Sequence, residues 1–128
     1  MVYYLAIALG GAAGATTRYW LSTSVEHLNS SQFPLGTFLV NLLGSFLIGI
    51  VFILLLEKIN LVASWRPLVM IGFLGAMTTF STFSLETLLL FEQGHYNTAL
   101  FYVLSSVVVC LAAAFAGMQL TRIILQVI

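Results

Sequence analysis

The chain has 128 residues, of which 61% are hydrophobic and only 6% charged, with a formal net charge of zero. Soluble domains carry about 25% charged residues, so this chain cannot cover a folded surface with ionised side chains, and its mean hydropathy of +1.10 points to a membrane protein. The balanced charge also excludes the clustered basic footprint that a nucleic-acid partner requires.

The eight charges divide the chain. Between Arg18, Glu26, Glu57, Lys58, Arg66, Glu86, Glu92 and Arg122 lie charge-free runs at 1–17, 27–56, 67–85 and 93–121. A membrane-crossing helix needs roughly 20 apolar residues, so four spans take up about 80 residues and leave only connections and ends. The expected fold is therefore all-α: a single transmembrane domain of four helices over about 2–22, 37–56, 67–91 and 97–124.

The first span holds Gly10 and Gly14 in the small-xxx-small spacing that lets helix backbones approach. It reads as a retained span, not a signal peptide, because no Lys or Arg precedes Arg18. A polar connection from Glu26 to Gln32 ends in the turn signal Pro34-Leu35-Gly36. After the second span, Glu57, Lys58 and Asn60 mark an interface, and Trp65-Arg66 suits an interfacial anchor. Pro67 fits the first turn of a third helix, where its missing N–H is unneeded.

The third span is unusual. Residues 78–84 read Thr-Thr-Phe-Ser-Thr-Phe-Ser, five hydroxyls in seven positions, just after Gly72 and Gly75. Hydroxyl side chains compete for backbone hydrogen bonds, which predicts a break near 76–81. Broken ends would offer carbonyls to a small cation, around Gly75 to Thr78, and N–H groups to an anion, around Ser81 to Ser84. The alternative is a strained continuous helix whose hydroxyls bond back onto their own carbonyls. Orientation is weakly encoded. Lys58, Arg66 and Arg122 lie on one side against Arg18 toward the other, a small bias for the positive-inside rule, so insertion in both orientations is conceivable.

Other polar residues at membrane depth need an account. Asn41 shares a helical stripe with Thr37 and Ser45, and serves either as interhelical glue or as an amide donor to a passing ion. Phe80 and Phe83 share a face at i, i+3. They are packing or, with positive ring edges turned inward, anion contacts. Thr98, Tyr102, Ser106 and Cys110 step along one face of the last helix, continued by Ala114, as a polar track or a plain helix contact. Arg18 and Glu86 are ionisable residues near bilayer depth, each a functional candidate. Arg18 otherwise snorkels, and Glu86 needs a partner or a proton. His27 and His95 fall in loops. Cys110 is the only cysteine, which excludes an intramolecular disulfide.

At 75–84, Gly-Ala-Met-Thr-Thr-Phe-Ser-Thr-Phe-Ser, followed by Leu85-Glu86, the chain resembles the Fluc (CrcB-type) fluoride channel family. Gly10 to Gly14 leading to Arg18-Tyr19-Trp20, Pro34-Leu35-Gly36-Thr37 leading to Val40-Asn41-Leu42, and Glu92-Gln93-Gly94 agree with it. The resemblance implies passive export of fluoride across the plasma (inner) membrane, by an antiparallel dual-topology homodimer with two pathways. It implies that Asn41 is the pore amide and that Phe80 and Phe83 meet fluoride with their ring edges. It further implies that Ser81, Thr82 and Ser84 supply donors and that Tyr102 and Ser106 form the polar track. Gly75 and Thr78 would present carbonyls to a structural sodium ion at the dimer centre. Cys110 and Ala114 depart from the family, whose relatives often carry Ser and Thr there.

Two other classes compete with this reading. Small four-helix proton-coupled multidrug exporters depend on a glutamate in the first span, where this chain has Arg18 and no acid. A non-transporting assembly subunit would leave the broken helix without a purpose. An enzyme fits least, since no nucleophile has a histidine base and no carboxylate pair lies in the membrane.

Overall fold

The computed structural model describes residues 1–57 and 65–127. The described elements are all helices: α1 (Val2–Leu28), α2 (Leu35–Glu57), α3, α4 (Phe80–Glu92) and α5 (Tyr96–Val127). Helix α3 is wound as a π-helix over Pro67–Leu74 and tightens to an α-helix over Gly75–Met77. Three stretches are long and apolar enough to cross a membrane: Leu35–Leu55, Pro67–Glu92 and Tyr96–Val127. The chain is thus a multi-pass membrane protein. Helix α1 falls outside that set because Gly10, Gly11, Gly14 and Thr16-Thr17-Arg18 dilute its apolar run.

Several boundaries differ from the sequence expectation. Helix α1 does not stop near Ser22 but winds on through Glu26-His27-Leu28. The reason is a side-chain bond to the next helix. The Glu26 carboxyl accepts the Gly36 N–H at 2.8 Å, at the start of α2, where a helix N-terminus favours an anionic acceptor. Asn29 closes the true connection, donating to Phe33 O at 2.7 Å and accepting from Ser31 N at 3.0 Å. Helix α5 starts one residue before Asn97 and runs three past Ile124. Lys58 and Asn60 lie outside the described residues. The π winding of α3 was not read from the sequence at all.

Small residues set the helix pairing. Gly14 of α1 meets the Phe73 main chain of α3, and Gly72 of α3 meets the α1 backbone at Ile7 and Gly10. A Cβ at any of these positions would press into backbone. Gly49 and Gly117 seat α2 and α5 against each other in the same way. In lipid, where burial of apolar surface gives no drive, such close backbone approach supplies the packing attraction.

Between Met77 and Phe80 the backbone is extended, with φ,ψ of −81°, 152° at Thr78 and −147°, 120° at Thr79. Helix then resumes because Thr79 caps it, its hydroxyl accepting from Thr82 N at 3.2 Å; hydroxyl N-caps are strongly preferred for this reason. At the far end Gly94 takes φ +80°. His95 N bonds Leu90 O and Gly94 N bonds Phe91 O, a Schellman termination that turns the chain directly into α5.

Candidate ion-binding groove

The extended pair at 78–79 leaves main-chain groups without helical partners, and each buried orphan in lipid costs several kcal/mol. Asn41, half-buried on α2, supplies the missing partners. Its Nδ2 donates to Thr79 O at 3.0 Å and its Oδ1 accepts from Thr79 N at 2.8 Å. This reciprocal clamp uses one of the two amide hydrogens and leaves the other for a second acceptor. Asn41 therefore acts as interhelical glue and keeps a donor in reserve.

The same bonds decide the state of two carbonyls. In a continuous helix, Thr79 N would bond Gly75 O and Thr82 N would bond Thr78 O. Here Thr79 N goes to Asn41 and Thr82 N goes to the Thr79 hydroxyl. The carbonyl oxygens of Gly75 and Thr78 are left with lone pairs to offer, a donor type that suits a hard cation.

Beside the clamp lies a groove of about 430 Å³. Asn41, Ser45, Thr78 and Thr79 line it together with Phe80, Phe83, Ser106 and Cys110. Phe80 and Phe83 stand 5.4 Å apart, tilted by 46°. They differ in exposure: Phe83 is 9% exposed and Phe80 77%. Ser106 is buried, yet among the described residues its Oγ is the one buried side-chain polar atom without a hydrogen-bond partner. Buried hydroxyls are normally paired, which sets this one apart among the groove's polar groups.

Tyr102 sits elsewhere. It is fully buried, and its hydroxyl donates to Glu86 Oε2 at 2.7 Å while Thr37 Oγ1 donates to Glu86 Oε1 at 2.7 Å. Its ring packs on Phe83 at 5.1 Å and Phe33 at 5.2 Å, so Phe83 is shared by this three-residue knot and the groove. Of the α4 hydroxyls, Ser84 bonds back to Phe80 O at 2.8 Å. Ser81 Oγ lies 3.2 Å from Thr79 Oγ1, and Thr82 Oγ1 accepts from that same atom at 3.0 Å. Half-buried Arg18 lines a second cavity of about 300 Å³ with Tyr19, Ser22, Thr37, Thr79 and Thr82. Thr79 borders both cavities. Sequence reasoning passed over Thr79 and Thr37 as individuals, although the hydroxyl cluster and the Thr37–Asn41 spacing both marked their positions.

Amide, hydroxyl and ring groups around one groove, in a chain with several membrane-spanning helices, define a multi-pass membrane protein with polar groups gathered at one place. Comparison with known proteins is more specific. Residues 5–118 match the family described as CrcB-like protein, Camphor Resistance (CrcB), and the chain belongs to that family. It is 51% identical over 117 residues to a protein of Methylococcus capsulatus named fluoride-specific ion channel FluC, covering 91% of this chain and 51% of that relative. Proteins of the same name from Hahella chejuensis and Saccharophagus degradans are 50% and 46% identical, over 93% and 95% of this chain and 94% and 91% of theirs. The chain thus spans about half the length of the Methylococcus relative and nearly all of the other two. The name describes an ion channel, not an enzyme.

Proposed function

We propose that this protein is a fluoride-selective channel, carrying fluoride passively across the plasma (inner) membrane. The observation that carries the proposal is the convergence of Asn41, Phe80, Phe83 and Ser106 on one groove, in a chain whose relatives are named for fluoride. Fluoride is small and strongly hydrated, so a route must replace its water with compact donors. The free amide hydrogen of Asn41 and the unpaired hydroxyl of Ser106 are such donors, and ring edges add positive potential without a formal charge. Ser81 and Thr82 on α4 supply further hydroxyls toward its opening turn, while Ser84, whose hydroxyl hydrogen goes to Phe80 O, supports that turn. Tyr102 acts through Phe83, which its ring supports. Arg18, in the cavity across Thr79, adds positive charge near the approach, and Glu86 fixes Thr37 and Tyr102 on either side of α4.

In this reading α1 is a fourth span. Its 27 residues reach about 40 Å, more than the roughly 30 Å hydrocarbon core. The extended residues 78–79 then interrupt the third span within the bilayer. One copy leaves Phe80 uncovered at the groove, which supports a second copy as the missing wall: an antiparallel homodimer, embedded in lipid, with two routes. Gly75 and Thr78 carbonyls from both copies would hold a structural sodium ion at the dimer centre, supplying a positive charge that joins four carbonyls at the broken ends of α3.

Ion efflux from liposomes containing the purified protein tests the proposal. Fluoride should leave rapidly with little chloride, and Phe80→Ile should cut fluoride efflux at least tenfold. Equal leak of both halides, or none of either, would overturn the reading.

A further inference from the structure

We propose that Gly44 is a positioning residue for the ion route: its bare Cα receives the methyl group of Thr78 and so fixes the backbone where the third span is interrupted. Gly44 is buried on α2. A Cβ placed there would run into Thr78 Cγ2, while Thr78 Cβ stays at an ordinary 3.8 Å. Both residues line the groove. At Gly10, Gly14, Gly49 and Gly117 a Cβ would instead meet the main chain of a neighbouring helix. At Gly44 the obstacle is a single methyl group.

Thr78 cannot turn that methyl away freely. A β-branched side chain is stiff at χ1, and the Thr78 hydroxyl donates to Leu74 O at 3.1 Å, a bond that rotation would break. Nor can the helices part without loss. Val40 of α2 is buried in one cluster with Leu74 and Met77 of α3. Asn41, three residues before Gly44 and on the same helix face, holds Thr79 N at 2.8 Å and Thr79 O at 3.0 Å. Helix α2 thus grips the extended pair at two points, an amide bonded to residue 79 and a notch that admits residue 78. Together they set where the Thr78 carbonyl lies and where α4 begins, with Phe80 as its first residue. A methyl added at Gly44 displaces Thr78, strains the clamp on Thr79 and shifts Phe80 at the groove.

The seat stands on contacts alone; its effect on flux rests on the channel reading. The test is a size exchange, because Thr78→Ser removes Cγ2 and keeps both the main chain and the hydroxyl bond to Leu74 O. The unaltered protein, Gly44→Ala, Thr78→Ser and the double variant are compared by melting temperature in detergent and by fluoride efflux from liposomes at equal incorporation. Gly44→Ala should lower the melting temperature by about 4 °C or more and cut efflux at least tenfold. In the Thr78→Ser background, which should itself conduct, the same alanine should cause less than half that melting shift and less than a threefold fall in efflux. Equal loss in both backgrounds would overturn the proposal, since the alanine would then plug the groove or disturb packing without acting through Thr78. An inert Gly44→Ala, a fall in melting temperature with efflux intact, or a silent Thr78→Ser would each overturn it as well. Should Gly44→Ala yield no folded protein, the double variant decides: folded and conducting upholds the seat, unfolded or silent rejects it. Absence of efflux from the unaltered protein would overturn the channel reading and the flux effect together, while the melting temperatures still decide the seat.

Discussion

The knot around Glu86 and the groove around Ser106 share one ring, Phe83, and treat polar atoms in opposite ways. In the knot both carboxyl oxygens accept a hydroxyl at 2.7 Å, and Tyr102 is shut away completely. Both hydroxyl hydrogens are spent there, which leaves neither of them as a donor for an anion. In the groove, Ser106 keeps an unpaired hydroxyl and Asn41 keeps one amide hydrogen, beside a largely exposed Phe80. Paired atoms in a membrane protein hold helices together; unpaired ones cost free energy and persist where a ligand completes them. The comparison separates what fixes the three helices α2, α4 and α5 from the polar atoms that are left unpaired in the groove.

Substitutions can break or sharpen that division. The largest effect on stability belongs to Asn41→Leu, which strands both the N–H and the C=O of Thr79. At about 1–3 kcal/mol for each unsatisfied group, the combined loss should be about 2–6 kcal/mol, visible as a large drop in melting temperature in detergent. An unchanged melting temperature would mean that the clamp at residue 79 is dispensable. Tyr102→Phe is smaller. It removes one donor from Glu86 and keeps the ring packed, for a loss of about 1–3 kcal/mol; a neutral result in the same melt would dissolve the distinction between knot and groove.

Much of this arrangement was legible in the residues themselves. Charge spacing marked the apolar stretches, and Gly10 and Gly14 marked a close helix contact, because lipid makes such patterns hard to reach by accident. The run at 78–84 identified the place where side chains compete with the helix for backbone groups. It could not tell which hydroxyl does what: Thr79 caps α4, whereas Ser84 simply bonds back to Phe80 O. Those roles depend on φ and ψ at single residues. Asn41 carried two readings because an amide both donates and accepts, and only its distance to Thr79 shows how much of it is used. The length of α1 was misjudged since Glu26 and His27 look like loop residues; the Gly36 N–H that Glu26 captures is ten residues away. The pairing of Glu86 with Thr37 is a contact over 49 positions, beyond the reach of any local pattern.

The proposed division between a structural knot and a conducting groove is tested most directly by Ser106→Ala, through the fluoride efflux rate at equal protein incorporation. The hydroxyl bonds nothing among the described residues, so its loss should leave the melting temperature within the change of about 0.5 kcal/mol typical of neutral sites, while efflux falls at least tenfold. Efflux equal to that of the parent protein would contradict the account, because the one unpaired buried hydroxyl would then have no part in moving the ion.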